Sequence, residues 1–251
     1  MIRKLKKLFL ISILLLGLFF LIGPKDLPDN SEFKKTLSLI SQEDVLIIFN
    51  SGGWGDTPPE EASDLTPIID GIQKTLSHLG YDSIVVPYTR TKESFLGRIE
   101  GVKETLSLFP NQSQKLANEI EVFIKSHPEN KIIMTGLSNG AIFVNRTMMK
   151  VSENQRNSVF AIEVGTPFWE KVLDSDNILL LNNKGKDALS KMDLRILIPA
   201  LLKSPCKWLS AQILREELSF SQALYLPGHY YNWDSVAPEV KSFLENRFAL
   251  F

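Results

Sequence analysis

The sequence predicts an α/β protein: one domain built on a mostly parallel sheet of about six strands, with helices on both faces. Three observations predict it. Strand-like and helix-like segments alternate over most of the 251 residues, the pattern of strands joined by helical crossovers. Val45-Leu46-Ile47-Ile48-Phe49 is a continuous apolar run, which marks a strand buried on both faces. Hydrophobic residues make up 44% of the chain, enough for a single core at this length.

The chain opens with Arg3, Lys4, Lys6 and Lys7, followed by an apolar run from Leu8 to Gly23. A basic stretch before such a run is a signal peptide or a membrane anchor. No small-x-small cleavage site ends the run, Pro24 follows it, and flanking lysines such as Lys25 can snorkel to lengthen it. Residues 1–23 therefore read as an uncleaved signal anchor, with a removed signal and a secreted protein as the alternative. The run is apolar all round, unlike a surface helix. Its basic flank predicts that the rest of the chain lies on the non-cytoplasmic side. Residues 24–44 are polar and read as a short stalk, and residues 45–251 as the folded domain.

Val45–Phe49 opens that domain. Pro67 to Leu79 places Ile68, Ile69, Ile72, Leu76 and Leu79 at helical spacing and stops at Gly80, a favoured residue just past a helix end. Ser83–Pro87 is a second strand. Helices follow over Ser94–Phe109 and Gln112–Ser126, separated by Pro110. Lys131–Thr135 is a third strand and Ala141–Lys150 the helix after it. Val159–Val164 and Asn177–Leu181 add two strands. Ala188–Glu217 reads as mainly helical, broken by Pro199 and Pro205. Ala223–Leu226 is a last short strand and Pro238–Phe248 a closing helix.

The formal charge of -1 argues against a nucleic-acid partner, which would want a broad basic face. Cys206 is the single cysteine, so the chain forms no internal disulfide and no cysteine metal cluster.

Chemistry is concentrated in three blocks. Thr135-Gly136-Leu137-Ser138-Asn139-Gly140 stands between a strand and a helix. That is the setting of a nucleophile elbow, where a serine occupies a sharp turn and the glycines remove side chains that would strike neighbouring backbone. Asn50-Ser51-Gly52-Gly53-Trp54-Gly55 follows the first strand, and Pro227-Gly228-His229-Tyr230-Tyr231 follows the last. From Val45 to the C-terminus the chain resembles the α/β-hydrolase superfamily, with the three blocks in that family's order. Ser51 stands where many members have histidine.

The resemblance implies a reduced α/β-hydrolase fold, with the family's first two strands missing or reduced, since only the stalk separates the apolar run from Val45. It implies Ser138 as nucleophile and His229 as general base. It also implies an oxyanion hole from the N–H of Asn139 and that of Gly53 or Trp54. The family commonly carries its acid after the second strand beyond the elbow, where Asp187 lies. Glu163, near the end of the preceding strand, is the alternative. His78 and His127 adjoin helix ends and read as surface or capping residues.

The implied activity is that of a carboxylesterase or lipase-like serine hydrolase, acting on a small-molecule or lipid ester through an acyl-enzyme. No metal or organic cofactor is required. Acyl transfer by the same triad, and a catalytically inactive scaffold used for binding, are the alternatives. Leu194 to Leu209, apolar with Arg195, Lys203, Lys207 and Trp208, either packs over the sheet or lies in a membrane interface. Phe168-Trp169 reads equally as pocket lining, rim or core.

Overall fold

Strands β1 (Val45–Asn50), β2 (Ser83–Pro87), β3 (Lys131–Leu137), β4 (Val159–Val164) and β5 (Ile178–Leu181) form one parallel sheet in the order β2-β1-β3-β4-β5. This is seen in a computed structural model that describes residues 28, 30–40, 45–92, 94–214 and 226–248. The helices are α1 (Ser31–Leu39), α2 (Thr66–His78), α3 (Phe95–Leu106), α4 (Pro110–Ser126), α5 (Asn139–Met148), α6 (Glu153–Arg156), α7 (Ala188–Lys191), α8 (Leu194–Leu214) and α9 (Trp233–Phe248). The sheet thus has five strands among the described residues where about six were expected. The sixth, Ala223–Leu226, falls largely outside them, as do the apolar run to Gly23 and the basic residues before it. Among the described residues no helix is long and apolar enough to cross a membrane.

The continuous apolar runs follow from burial on both faces. Leu46 and Ile48 of β1 join Ile132 and Met134 of β3 on one face, packed by Leu116 and Ile120 of α4 and Phe143 of α5. Val45, Ile47, Phe49 and Ile133 point the other way, onto Ile68, Ile72 and Leu76 of α2 and Val240 and Leu244 of α9. Each such side chain contributes about 1.5–3 kcal/mol on burial, so a polar residue on either face would weaken the strand.

Two expectations are corrected. The segment read as a stalk contains α1, which buries Phe33 and Leu37, with Ile40 just beyond it, against the α4 face of the sheet. Three apolar residues at helical spacing suffice once a partner surface exists. The helix after residue 188 is also not broken at its prolines: α8 runs unbroken through Pro199 and Pro205. Both prolines are exposed, as are Arg195 and Leu201, whose carbonyls they deprive of a helical partner, so water can replace the lost bonds. On α8, Leu197 and Ala211 are buried, while Leu194, Ile198, Leu201, Leu202 and Leu209 are exposed.

The register positions the site. Asn50 pairs with Gly136, Leu137 with Val164, and Val164 with Leu181. The carboxyl ends of β1, β3, β4 and β5 therefore lie in one row. Every loop that begins there opens on the same rim, including the point between β1 and β3 where the strand order reverses. That is where open parallel sheets place their ligands.

Candidate active site

Ser138 sits between β3 and α5 with φ 54 and ψ -111. A non-glycine residue in that region stores about 1–3 kcal/mol of strain unless its surroundings hold it. They do: its N–H donates to Val164 O (2.8 Å), and its own carbonyl accepts from Ile142 N–H (3.1 Å). The flanking glycines are required by contact. A Cβ at Gly136 would lie 2.4 Å from the Gly140 backbone, and one at Gly140 would lie 2.5 Å from Asn50 O and 2.6 Å from Ser51 O. The elbow is thus wedged against the end of β1. Ser138 is partly exposed, and its hydroxyl makes no hydrogen bond among the described residues. Asn139 opens α5, so its amide has no partner within the helix, and the helix N-terminus favours negative charge beside it.

The Ser51–Gly55 loop lies against this turn. Asn139 Nδ2 donates to Gly53 O at 3.3 Å, and Gly53 has φ +54. A trans peptide directs its carbonyl and the following N–H oppositely, so the N–H of Trp54 points away from Asn139.

His229 and Asp187 are joined directly, Nδ1 to Oδ2 at 2.9 Å. The sequence places Asp187 at the start of α7, where it caps the helix: its Oδ1 accepts from the N–H of Leu189 (2.8 Å) and Ser190 (3.3 Å). Ser190 Oγ and Tyr231 Oη donate to Oδ2, at 3.1 and 2.5 Å. Asp187 is wholly buried, and burial alone would raise its pKa. The hydrogen bond and charge of His229, with the Tyr231 hydroxyl and Leu189 N–H, outweigh burial and hold the carboxyl below its ordinary value. An ionised Asp187 only accepts. Nδ1 therefore carries a proton, and in the neutral imidazole Nε2 is the nitrogen with the free lone pair.

Gly165, with φ +62, joins this pair to the elbow. A Cβ there would lie 2.8 Å from His229 Cε1 and 3.1 Å from Asp187 Oδ2. The residue before it, Val164, holds the Ser138 amide. Ser138 and the imidazole therefore flank the same Val164-Gly165 backbone, with no hydrogen bond between them.

Glu163 is placed elsewhere. It projects from β4 toward the α5 face of the sheet, opposite Gly136, and is fully buried. Its Oε2 accepts from Thr166 Oγ1 at 3.1 Å, while Oε1 has no hydrogen-bond partner among the described residues. Burial pushes its pKa up to about 8; the Thr166 bond opposes the shift and the charge of Glu170 adds to it. It makes no hydrogen bond or ion pair with His229.

Tyr231, Ser190 and Gly165 were not singled out for these contacts from sequence. The available signal is proximity, since Tyr231 and Ser190 lie two and three residues from His229 and Asp187. Phe168 and Trp169 are exposed, edge to face at 5.0 Å, so they are not core, and Phe168 lines a small cavity with Thr166, Leu181 and Ser190. His127 stacks on Phe123, far from the sheet's carboxyl rim. Among the described residues no cluster of His, Cys, Asp and Glu could hold a metal ion.

No protein-family model matches the chain, and no curated protein matches it. Among solved structures it is similar to a Trichoderma reesei cutinase in complex with a C11Y4 phosphonate inhibitor. The likeness is at 19% identity and a TM-score of 0.45, covering 77% of this chain and 90% of that one.

Proposed function

We propose that this chain is a serine hydrolase of the α/β-hydrolase type that cleaves carboxylic esters. The observation that carries the reading is the ionised Asp187 bonded to His229, beside a strained serine on a strand-to-helix turn. In this reading His229 Nε2 accepts the Ser138 proton as Oγ attacks the ester carbonyl. The oxyanion is met by the N–H groups of Asn139 and Gly53. The imidazolium, stabilised by Asp187, returns the proton to the leaving alcohol, and water then repeats the sequence to free the acid. Residues 1–23 anchor the protein in a membrane with the domain on the non-cytoplasmic side. A mature N-terminus beyond Gly23 would overturn that part.

The test is covalent labelling with a fluorophosphonate together with turnover of p-nitrophenyl esters of graded chain length. Ser138→Ala is expected to abolish labelling and lower turnover by several orders of magnitude with the melting temperature retained. Turnover that survives the substitution would end the serine mechanism.

A further inference from the structure

Arg90 lies three residues beyond β2, only 1% exposed, beneath the Ser51–Gly55 loop. Its Nη2 donates to Ser51 O at 2.6 Å and, at the limit of a hydrogen bond, to Gly52 O at 3.5 Å; Gly52 O takes its shorter bond, 3.0 Å, from the Gly55 N–H of the same turn. Its own N–H donates to Gly55 O at 2.9 Å, and Thr91 Oγ1 donates to Trp54 O at 2.6 Å. Gly55 is fitted to the guanidinium: a Cβ there would lie 2.4 Å from Arg90 Nε. Phe109 and Phe143 take the cation on their faces, at 5.1 and 5.8 Å. Nε and Nη1 still have no hydrogen-bond partner among the described residues, and burial pulls the pKa down to about 9 against the charge of Asp56. A desolvated cation with idle N–H groups is a costly way to hold a turn, and a neutral donor could hold one carbonyl.

The consequence lies on the opposite side of the peptide planes. Carbonyl and following N–H point oppositely in a trans peptide. With the Ser51 carbonyl turned inward to Arg90 and the Gly52 carbonyl held mainly by the Gly55 N–H of the turn seated on Arg90, the N–H groups of Gly52 and Gly53 turn outward. Neither donates to anything among the described residues, and the loop abuts the elbow at Gly140. Glycine offers little resistance to a peptide flip. A flip at Gly52-Gly53 would replace a donor by a carbonyl that repels an oxyanion.

We propose that Arg90 is a positioning residue that sets the oxyanion hole, holding the Ser51 carbonyl inward and seating the Gly52–Gly55 turn on its guanidinium so that the Gly53 N–H is presented before substrate arrives. This rests on the serine hydrolase reading. It assigns Arg90 no contact with substrate: the residue acts through the loop.

The test compares the full chain with Arg90→Met and Arg90→Lys, normalising turnover to the folded fraction by circular dichroism. For Arg90→Met, kcat on a p-nitrophenyl ester should fall about a hundredfold or more, the loss typical of a missing oxyanion donor, with KM changed less than about threefold. A boronic acid, whose adduct with Ser138 is a tetrahedral anion, should lose affinity by a similar factor. Arg90→Lys keeps a cation without the fork and should fall in between, about tenfold down in kcat. It decides the matter if Arg90→Met does not fold. An unchanged kcat per folded molecule, or a loss confined to KM, would overturn the proposal. Residual dipolar couplings of the Gly53 N–H read the same question without turnover. A reorientation in Arg90→Lys is expected, and an unmoved N–H would overturn the role of Arg90 whether or not the chain hydrolyses esters. A wild-type chain without esterase activity would instead remove the hydrolase reading.

Discussion

Asp187 and Glu163 are both fully buried carboxyls near the carboxyl rim of the sheet, yet their surroundings drive them in opposite directions. Asp187 meets five donors: two N–H groups from the first turn of α7, the Ser190 and Tyr231 hydroxyls, and His229 Nδ1. Glu163 meets one, from Thr166, and faces the charge of Glu170. Burial raises both pKa values, and only at Asp187 do the donors reverse it. What decides the charge of a buried carboxyl is the count of groups that prefer it ionised. Asp187 can therefore balance an imidazolium at neutral pH, whereas Glu163 is mainly neutral there.

The sharpest break between the two is catalytic. Asp187→Asn should lower ester turnover by up to about ten-thousand-fold, because asparagine cannot hold the same imidazole tautomer. Glu163→Gln should change turnover by less than about fivefold, since no hydrogen bond or ion pair links it to His229. Steady-state kinetics of the two variants measure this directly, and the reverse ranking would transfer the acid role to Glu163.

The next effect is on stability. Glu163 has a folded pKa of about 8 against an ordinary value of 4.5. Between those limits the native state binds a proton that the unfolded state releases, so stability falls as pH rises from about 4.5 to 8. Glu163→Gln resembles the protonated form. It should match wild type near pH 4.5 and exceed it at pH 8 by a few kcal/mol, since each pH step between the two values costs the wild type about 1.4 kcal/mol. Denaturant melts at the two pH values would show the gap, and parallel curves would mean that Glu163 is not neutral in the fold. Asp187 acts with the opposite sign. Its depressed pKa contributes stability that is complete above its ordinary range near 3.9 and is lost as pH falls through the folded value.

A smaller effect sharpens the donor argument. Tyr231→Phe removes one of the five donors to Asp187, a hydrogen bond to a charged group worth about 1.5 kcal/mol. Turnover should fall about tenfold and the Asp187 pKa should rise, measurable by carboxyl carbon NMR. An unmoved pKa would show that the remaining donors are sufficient.

The sheet was legible because a parallel strand buried on both faces is a near-continuous apolar run, and Val45–Phe49, Ile132–Met134 and Val159–Ile162 display that locally. The elbow was legible for a related reason: Gly136 and Gly140 are dictated by contacts within a few residues and with the strand beside them. The helix α1 was not legible. Its few apolar residues make a helix only against the α4 face of the sheet, and residues 24–44 are mostly polar. The unbroken course of α8 was hidden likewise, because the exposure of Pro199 and Pro205 that makes it tolerable is a property of packing.

By itself, then, the sequence determined the alternation of elements, the buried strands, the position of Ser138 on its turn, and a short roster of histidines and carboxylates near strand ends. Backbone sterics and hydrophobic periodicity act over a few residues, so they are written locally. Only the tertiary structure separated Asp187 from Glu163 and brought Arg90 under a loop 35 to 39 residues away in the chain. Donors to a carboxyl, the desolvation of a charge and the direction of a peptide N–H depend on which distant segments meet, and no local pattern records that meeting.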